Sequence, residues 1–183
     1  MLAIDGPARC ADLDGVAPGK LLNSTTDLIP PRKAPTMTSP NLAPDLQRDE
    51  GLNLHAYPDP ISHGAPWTIG YGHTGPGISK GVVWTLDQAN QALARDIAHA
   101  EAGLDAQLAW WRQLDDVRQD CLVNMTFNMG IGGVVKFNTF LGLLKAGKYL
   151  EAAADLAGTA WHRQIGQRAV RVERQIQTGV HQA

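Results

Sequence analysis

Two carboxylates near the start of the globular part of the sequence have the types and spacing that acid-base chemistry uses. Glu50 falls at the predicted end of a short helix, immediately before Gly51. A carboxylate there faces the negative end of the helix dipole, which disfavours its ionisation by about 0.3–1 kcal/mol and suits a general acid. Asp59 follows nine residues later, and no further acidic residue appears until Asp87. The pair is therefore a candidate for glycoside hydrolysis, which generally uses two carboxylates that flank the scissile bond.

Both carboxylates also have ordinary structural interpretations. Glu50 could belong, with Asp49, to a solvated pair at a frayed helix end. Asp59 could be a turn aspartate, since Pro58 and Pro60 flank it and proline is common in turns. The catalytic interpretation requires the hairpin after Glu50 to bring Asp59 back beside the first helix.

A third candidate is Thr68, in the segment TIGYGH at residues 68–73. Its alternation predicts a single strand with Thr68 and the two glycines on one face and His73 on the other. The glycines would leave that face flat enough for a sugar chain to approach, and the hydroxyl could orient a water molecule. The alternative is that Thr68 is only a good strand former.

The elements that must position these residues are expected to be strands early in the chain and helices later. Turn residues interspersed with β-formers predict a hairpin and a small sheet over residues 52–73. Capping residues and apolar periodicity predict helices at about 41–50, 85–107, 115–129, 139–145, 149–157 and 166–177. The second starts from the N-cap Thr85, and the third is apolar or small nearly all round, as a buried central helix would be. This order indicates an α+β fold.

Composition excludes several classes of protein. The chain has 183 residues, of which 44% are hydrophobic and 19% charged, and its formal net charge is −2. A nucleic-acid-binding protein would normally carry a basic excess, and a membrane span needs about 20 consecutive apolar residues, so neither is expected. Cys10 and Cys121 do not make a disulfide framework, and the buried-helix position of Cys121 favours a core residue over a nucleophile.

The first forty residues differ from the rest. They are rich in proline and glycine and keep no helical or strand period, so residues 1–40 are predicted to be a poorly ordered extension or linker. A docking or targeting arm is the alternative. Met37 lies just before the first ordered segment and could be the biological start. Acidic residues interrupt the N-terminus, which therefore lacks the apolar core of a signal peptide.

The segment DEGLNLHAYPDPISHGAPWTIGYGHT, at residues 49–74, resembles the active-site region of the bacteriophage lysozymes. These are endolysins of the N-acetylmuramidase type, in glycoside hydrolase family 24. Their signature is Glu-Gly-Leu, an aspartate in the following hairpin, and then Thr-Ile-Gly-x-Gly-His. Similarity continues through LVNMTFNMG at 122–130 and RAVRV at 168–172.

The resemblance implies a lysozyme-like fold over residues 41–183. A small sheet lobe, about 52–84, and a larger helical lobe, about 108–179 together with the first helix, would be joined by a long helix at about 85–107. The substrate cleft would lie between the two lobes.

The resemblance also implies roles for individual residues. Glu50 would be the proton donor, Asp59 would support attack by water and the charge that develops on the sugar, and Thr68 would help place the water. Supporting or substrate-binding positions would be Asn124 and Asn128 on the central helix and Arg168, which approaches Glu50 from the helical lobe.

Two further ion pairs follow from the resemblance. His73 would pair with Asp96 on the long helix as a structural contact, in preference to acting as a base or a metal ligand. Arg171 is a candidate partner for Asp49, with an unpaired arrangement as an equal alternative.

The activity implied is hydrolysis of the β-1,4 bond between N-acetylmuramic acid and N-acetylglucosamine in peptidoglycan, with inversion and without metal or cofactor. The expected protein is a monomer that binds the glycan strand, binds no nucleic acid and inserts into no membrane. It would be made in the host cytoplasm and reach the wall after the membrane is permeabilised. The alternatives are a lytic transglycosylase acting on the same bond and a non-catalytic peptidoglycan-binding module.

Overall fold

The computed structural model describes residues 39–58 and 62–182. The predicted extension before Ser39, the possible start at Met37 and the candidate carboxylate Asp59 lie outside these residues. Within the described part of the chain, no helix is long and apolar enough to span a bilayer.

Helices dominate the described residues, and a small antiparallel sheet accompanies them, so the expected α+β lysozyme-like fold is confirmed. The strands are β1 (Asn53–Pro58), β2 (Trp67–Gly70) and β3 (His73–Thr74). The helices are α1 (Leu42–Glu50), α2 (Leu86–Gln107), α3 (Asp116–Met129), α4 (Ile131–Val134), α5 (Asn138–Lys145), α6 (Tyr149–Ala157), α7 (Ala160–Ile165) and α8 (Gln167–Thr178), with a short 3-10 turn at Trp111–Gln113.

The single strand predicted over residues 68–73 is wrong beyond Gly70. Gly70 and Gly72 have φ values of 68° and 84°, in the left-handed region that favours glycine. The chain therefore reverses between β2 and β3, and Ile69 and His73 become antiparallel partners. The two glycines that suggested a flat strand face instead form a turn.

The long helix α2 begins where the sequence predicts. The Thr85 hydroxyl oxygen accepts a hydrogen bond from the Gln88 backbone N–H at 3.2 Å, and the Gln88 side-chain oxygen accepts one from the Thr85 N–H at 2.8 Å. This reciprocal cap satisfies backbone donors that a helix start otherwise leaves free. The apolar face of α2 is buried through Ala89, Ala92, Leu93, Ile97, Ala100 and Leu104.

The central helix α3 is buried over residues 118–126, as its apolar residues predict, but this buried stretch also contains four charged or amide side chains: Arg118, Gln119, Asp120 and Asn124. Cys121 is fully buried, and that burial raises the pKa of its thiol, so it is a core side chain. Arg118 joins α3 to the end of α8, because its Nε donates to the Ile176 carbonyl at 2.8 Å. Its guanidinium also lies 3.5 Å from the ring centroid of Tyr149.

A buried carboxylate near the start of α3 holds Ser39, the first residue that the structure describes. Asp120 is only 4% exposed and accepts hydrogen bonds from the backbone N–H and the hydroxyl of Ser39. Burial raises the pKa of Asp120 to about 6, although the bonds from Ser39 act in the opposite direction. The nearby charges of Asp45 and Asp116 raise it further.

This raised pKa predicts a stability that falls as the pH rises. In the unfolded chain Asp120 ionises near its usual 3.8, whereas the folded chain holds the proton up to about 6. Stability is therefore lost progressively across that interval, by up to about 3 kcal/mol, and Asp120→Asn should be the more stable form above it. Chemical denaturation of both proteins across the interval measures this difference.

Asp105→Asn is the control for that prediction, because the Arg112 side chain lowers the pKa of Asp105 and the sign is opposite. At neutral pH this variant should lose the ion pair with Arg112 and should not be more stable than the unmodified protein. An Asp120→Asn protein whose stability depends on pH as steeply as the unmodified protein would contradict the assignment.

Candidate active site

The candidate acid lies at the end of α1, where the sequence places it. Gly51 caps the helix with a φ of 68°, and its N–H donates to the Gln47 carbonyl at 3.1 Å. The Glu50 side chain follows the last turn and is 21% exposed, so one face of it is protected while solvent reaches the other. Because α1 contacts α3, its position depends on that helix.

Arg168 on α8 holds one oxygen of this carboxylate. Its Nη1 donates to Glu50 Oε1 at 2.6 Å. The guanidinium is itself fixed by Asn124, whose side-chain oxygen accepts from Nε at 2.8 Å and whose backbone carbonyl accepts from Nη2 at 3.2 Å. The expected contact between Arg168 and Glu50 is therefore present, and three hydrogen bonds orient the cation.

A second ion pair lies directly behind the first. Asp49 is nearly buried and accepts a hydrogen bond from Nη2 of Arg171, so the structure contains the pair that the sequence left open. Asn124 completes the arrangement, since its amide nitrogen donates to Asp49 Oδ2 at 3.3 Å. We call Asp49, Glu50, Asn124, Arg168 and Arg171 the buried polar network; it joins α1, α3 and α8.

The turn between β2 and β3 approaches the other oxygen of Glu50. A Cβ atom added at Gly72 would lie 3.4 Å from Glu50 Oε2, and φ at Gly72 is already positive. A side chain at this position would be strained by the positive φ, and its Cβ would be in van der Waals contact with the carboxylate. The glycine therefore serves both the reversal of the chain and the close approach to the candidate acid.

A cleft of about 850 Å³ extends from this turn. Residues of β3, α2, α3 and α4 line it, among them Gly72, His73, His99, Phe127 and Ile131. It therefore lies between sheet and helices, with α2 as one wall, where the fold predicts a substrate cleft.

The wall of the cleft contains the expected pair of His73 and Asp96. His73 Nδ1 lies 2.8 Å from Asp96 Oδ2, and the Trp84 ring lies beside the imidazole with the two ring centroids 5.4 Å apart. The pair links β3 to α2, which supports its interpretation as a structural contact.

The remaining candidates lie on other elements. Thr68 is in β2, opposite Tyr57 on β1 and Thr74 on β3. Asn128 is on α3 and accepts a hydrogen bond from the Trp161 indole N–H at 2.9 Å. Hydrogen bonds thus join Glu50, Asn124 and Arg168, whereas Thr68 lies in the sheet, Asn128 contacts Trp161, and the structure does not describe Asp59.

No group of three or more histidine, cysteine, aspartate or glutamate side chains is placed to hold a metal ion in residues 39–58 and 62–182. The buried polar network is a poor site for a metal ion, because its carboxylates are already paired with arginines.

Comparison with known proteins decides the family. The sequence model of the phage lysozymes matches residues 47–175, which is most of the chain. The chain belongs to the phage lysozyme family. This confirms the family that the sequence motifs indicated.

Three relatives show how the match is distributed. The pre-baseplate central spike protein Gp5 of Enterobacteria phage T4 is 32% identical over 82% of this chain, but the match covers 30% of that protein. A probable T4-type lysozyme 1 of Dictyostelium discoideum is 26% identical over 73% of this chain and 92% of its own length. The endolysin of Bacillus phage B103 is 32% identical over 64% of this chain and 42% of its own length. The chain thus spans well under two thirds of the spike protein and of this endolysin.

Sequence reasoning missed two residues of the cleft. Gly72 was assigned to a strand face, although paired glycines two residues apart are also a turn signal. His99 was not considered, although it follows Asp96 by three residues and so shares its face of α2. Both line the cleft.

The buried polar network predicts a large stability effect at Arg168. Arg168→Ala removes the cation from Glu50 and leaves Asn124 without two of its hydrogen-bond donors. Removing one partner of a largely buried ion pair should lower the free energy of unfolding by about 2–4 kcal/mol. Thermal and denaturant unfolding measure the change.

Arg174→Ala is the matched control, because Arg174 is an exposed arginine on the same helix α8. It should change the free energy of unfolding by less than about 0.5 kcal/mol. Equal effects from the two substitutions would show that the network contributes little to stability.

Proposed function

We propose that this phage lysozyme hydrolyses the β-1,4 bond between N-acetylmuramic acid and N-acetylglucosamine in bacterial peptidoglycan, with Glu50 as the general acid. The observation that carries this proposal is the asymmetric environment of Glu50. Arg168 fixes Oε1, whereas Oε2 faces the turn at Gly72 where the cleft begins. An acid oriented through one oxygen can donate a proton through the other.

Glu50 would protonate the glycosidic oxygen as the bond to the leaving sugar breaks. This assists departure because the leaving group then carries no full negative charge. The family membership and the names of the relatives, which include lysozymes and endolysins, support the same reaction.

Asp59 and Thr68 are proposed to serve the attacking water. Asp59 directly follows the end of β1 in the sequence, and Thr68 lies on the neighbouring strand β2. A carboxylate would accept a proton from the water, and the threonine hydroxyl would orient it. Such an inverting reaction requires the two carboxyl groups to lie about 6.5–9.5 Å apart. Asn128 would support the cleft through its contact with Trp161, and no metal or cofactor is required.

Two settings are consistent with this chemistry. As an endolysin, a monomeric protein would act on the wall once the membrane is permeabilised. The similarity to the T4 central spike protein favours a second setting, in which the same domain would be carried by a larger phage assembly. Both settings use the same substrate and the same residues.

The first test is Glu50→Gln, which keeps the size and hydrogen-bonding capacity of the side chain but cannot donate the catalytic proton. Clearing of a peptidoglycan suspension should slow by about 10²–10⁴-fold. The measurement is the initial decrease in turbidity at equal protein concentration, after circular dichroism has shown that the variant is folded.

Glu151→Gln provides the control, because Glu151 is an exposed helix glutamate whose described ion pair is with Lys148. Its clearing rate should equal that of the unmodified protein. Equal clearing by Glu50→Gln and the unmodified protein would refute the role of Glu50. Binding without clearing by the unmodified protein would support a non-catalytic wall-binding module instead.

The reaction products test the role assigned to Asp59. Attack by water with inversion at a β bond releases a reducing muramic acid end that is initially the α anomer, which proton NMR detects before mutarotation. Asp59→Asn should greatly slow its release. A β anomer would indicate retention, and a 1,6-anhydro end without a reducing end would identify a lytic transglycosylase.

A further inference from the structure

The wall of the cleft contains a histidine that belongs neither to the proposed reaction nor to the pair of His73 and Asp96. His99 lies on α2, one turn after Asp96, and is exposed where it lines the cleft. Among the described residues it has neither a hydrogen-bond nor an ion-pair partner. It is therefore available to a ligand in the cleft.

Two other polar side chains of the lining have partners within the protein. Asp96 accepts from His73, and the Thr126 hydroxyl donates to the Leu122 carbonyl at 2.8 Å. The described lining residues from α3 and α4 carry no charge. Gly103 packs closely against Ile131, since a Cβ added at Gly103 would lie 3.2 Å from the isoleucine Cβ, so this part of the lining is apolar.

We propose that His99 determines specificity by donating a hydrogen bond to a carboxylate on the muramic acid side of the glycan. This inference rests on the proposed function and names the part of the substrate that the wall formed by α2 recognises. An imidazole can donate from a ring nitrogen, and in its protonated form it adds a positive charge. A neutral glycan offers this donor no anionic partner.

Two groups on the substrate have this chemistry. In glycan strands without peptides, the lactyl group of each muramic acid ends in a free carboxylate. In strands with stem peptides, that carboxyl is bound in an amide, and the carboxylates belong to the peptide. The experiment compares the two kinds of strand, each with its free carboxylates and after conversion of those carboxylates to methylamides. The conversion removes the charge and keeps the sugar backbone.

The experiment measures kcat and KM of the unmodified protein, His99→Gln and His99→Glu on these four substrates. His99→Gln should raise KM by about three- to fivefold on strands with carboxylates, because a glutamine amide is a weaker donor than an imidazole and cannot become charged. His99→Glu should raise it further through repulsion. Neither should change kcat, and neither should change KM on the methylamides. The strand type that shows the effect identifies the source of the carboxylate.

Arg95→Gln is the matched control. Arg95 is an exposed cation one turn before His99 on α2, but it does not line the cleft. It should leave KM unchanged on all four substrates. An equal effect of His99→Gln and Arg95→Gln would indicate general attraction and overturn the inference.

The outcomes separate this inference from the proposed function. If the unmodified protein cleaves the strands and His99→Gln has the same KM as the unmodified protein on each of them, the inference is wrong and the proposed function stands. A loss that is equal on carboxylates and methylamides overturns it as well, because it would reflect shape and not charge. If the unmodified protein cleaves none of the strands, the proposed function and the inference both fail.

Discussion

The contact between Arg168 and Glu50 is the interaction on which the rest of the site depends. Arg168 is largely buried, and an unpaired charge in such a position would cost several kcal/mol. Its three hydrogen bonds, to Glu50 and to both oxygens of Asn124, offset that cost. The planar guanidinium makes this possible because its donors point in fixed, divergent directions, which a lysine cannot reproduce.

The same contact determines which part of the molecule holds Glu50. Because α1, α3 and α8 meet in the buried polar network, Glu50 is held by the helical part of the fold. The opposite side of the carboxylate is approached by the turn at Gly72, which belongs to the sheet. A movement of the sheet relative to the helices would therefore change the space beside Oε2 while leaving the bond from Arg168 to Oε1 intact.

Local patterns predicted much of the fold, and the failures have identifiable causes. The helices that begin at Thr85 and Asp115 were predicted because both side chains cap the backbone within their own segment. The short helices α4 and α7 were missed, since a single turn carries no period and depends on its neighbours. The turn after Gly70 was assigned to a strand, because an alternation of glycines with larger residues over six positions fits a strand and a tight turn equally well.

The candidate site could be predicted only in part. Glu50 was identifiable from its place before Gly51. The network around it required a resemblance, since 118 residues separate Glu50 from Arg168.

Charge counting alone would misjudge how this chain meets an anionic polymer. Four arginines follow Trp161, which suggests a basic closing segment. Arg168 and Arg171, however, point inward and neutralise Glu50 and Asp49, so they add little to the field outside the protein. Under the proposed function, selection for an anionic glycan would then come from groups that are exposed inside the cleft. His99 has that position, and a donor that contacts the substrate directly can discriminate where a diffuse surface charge, screened within about 8–10 Å, cannot.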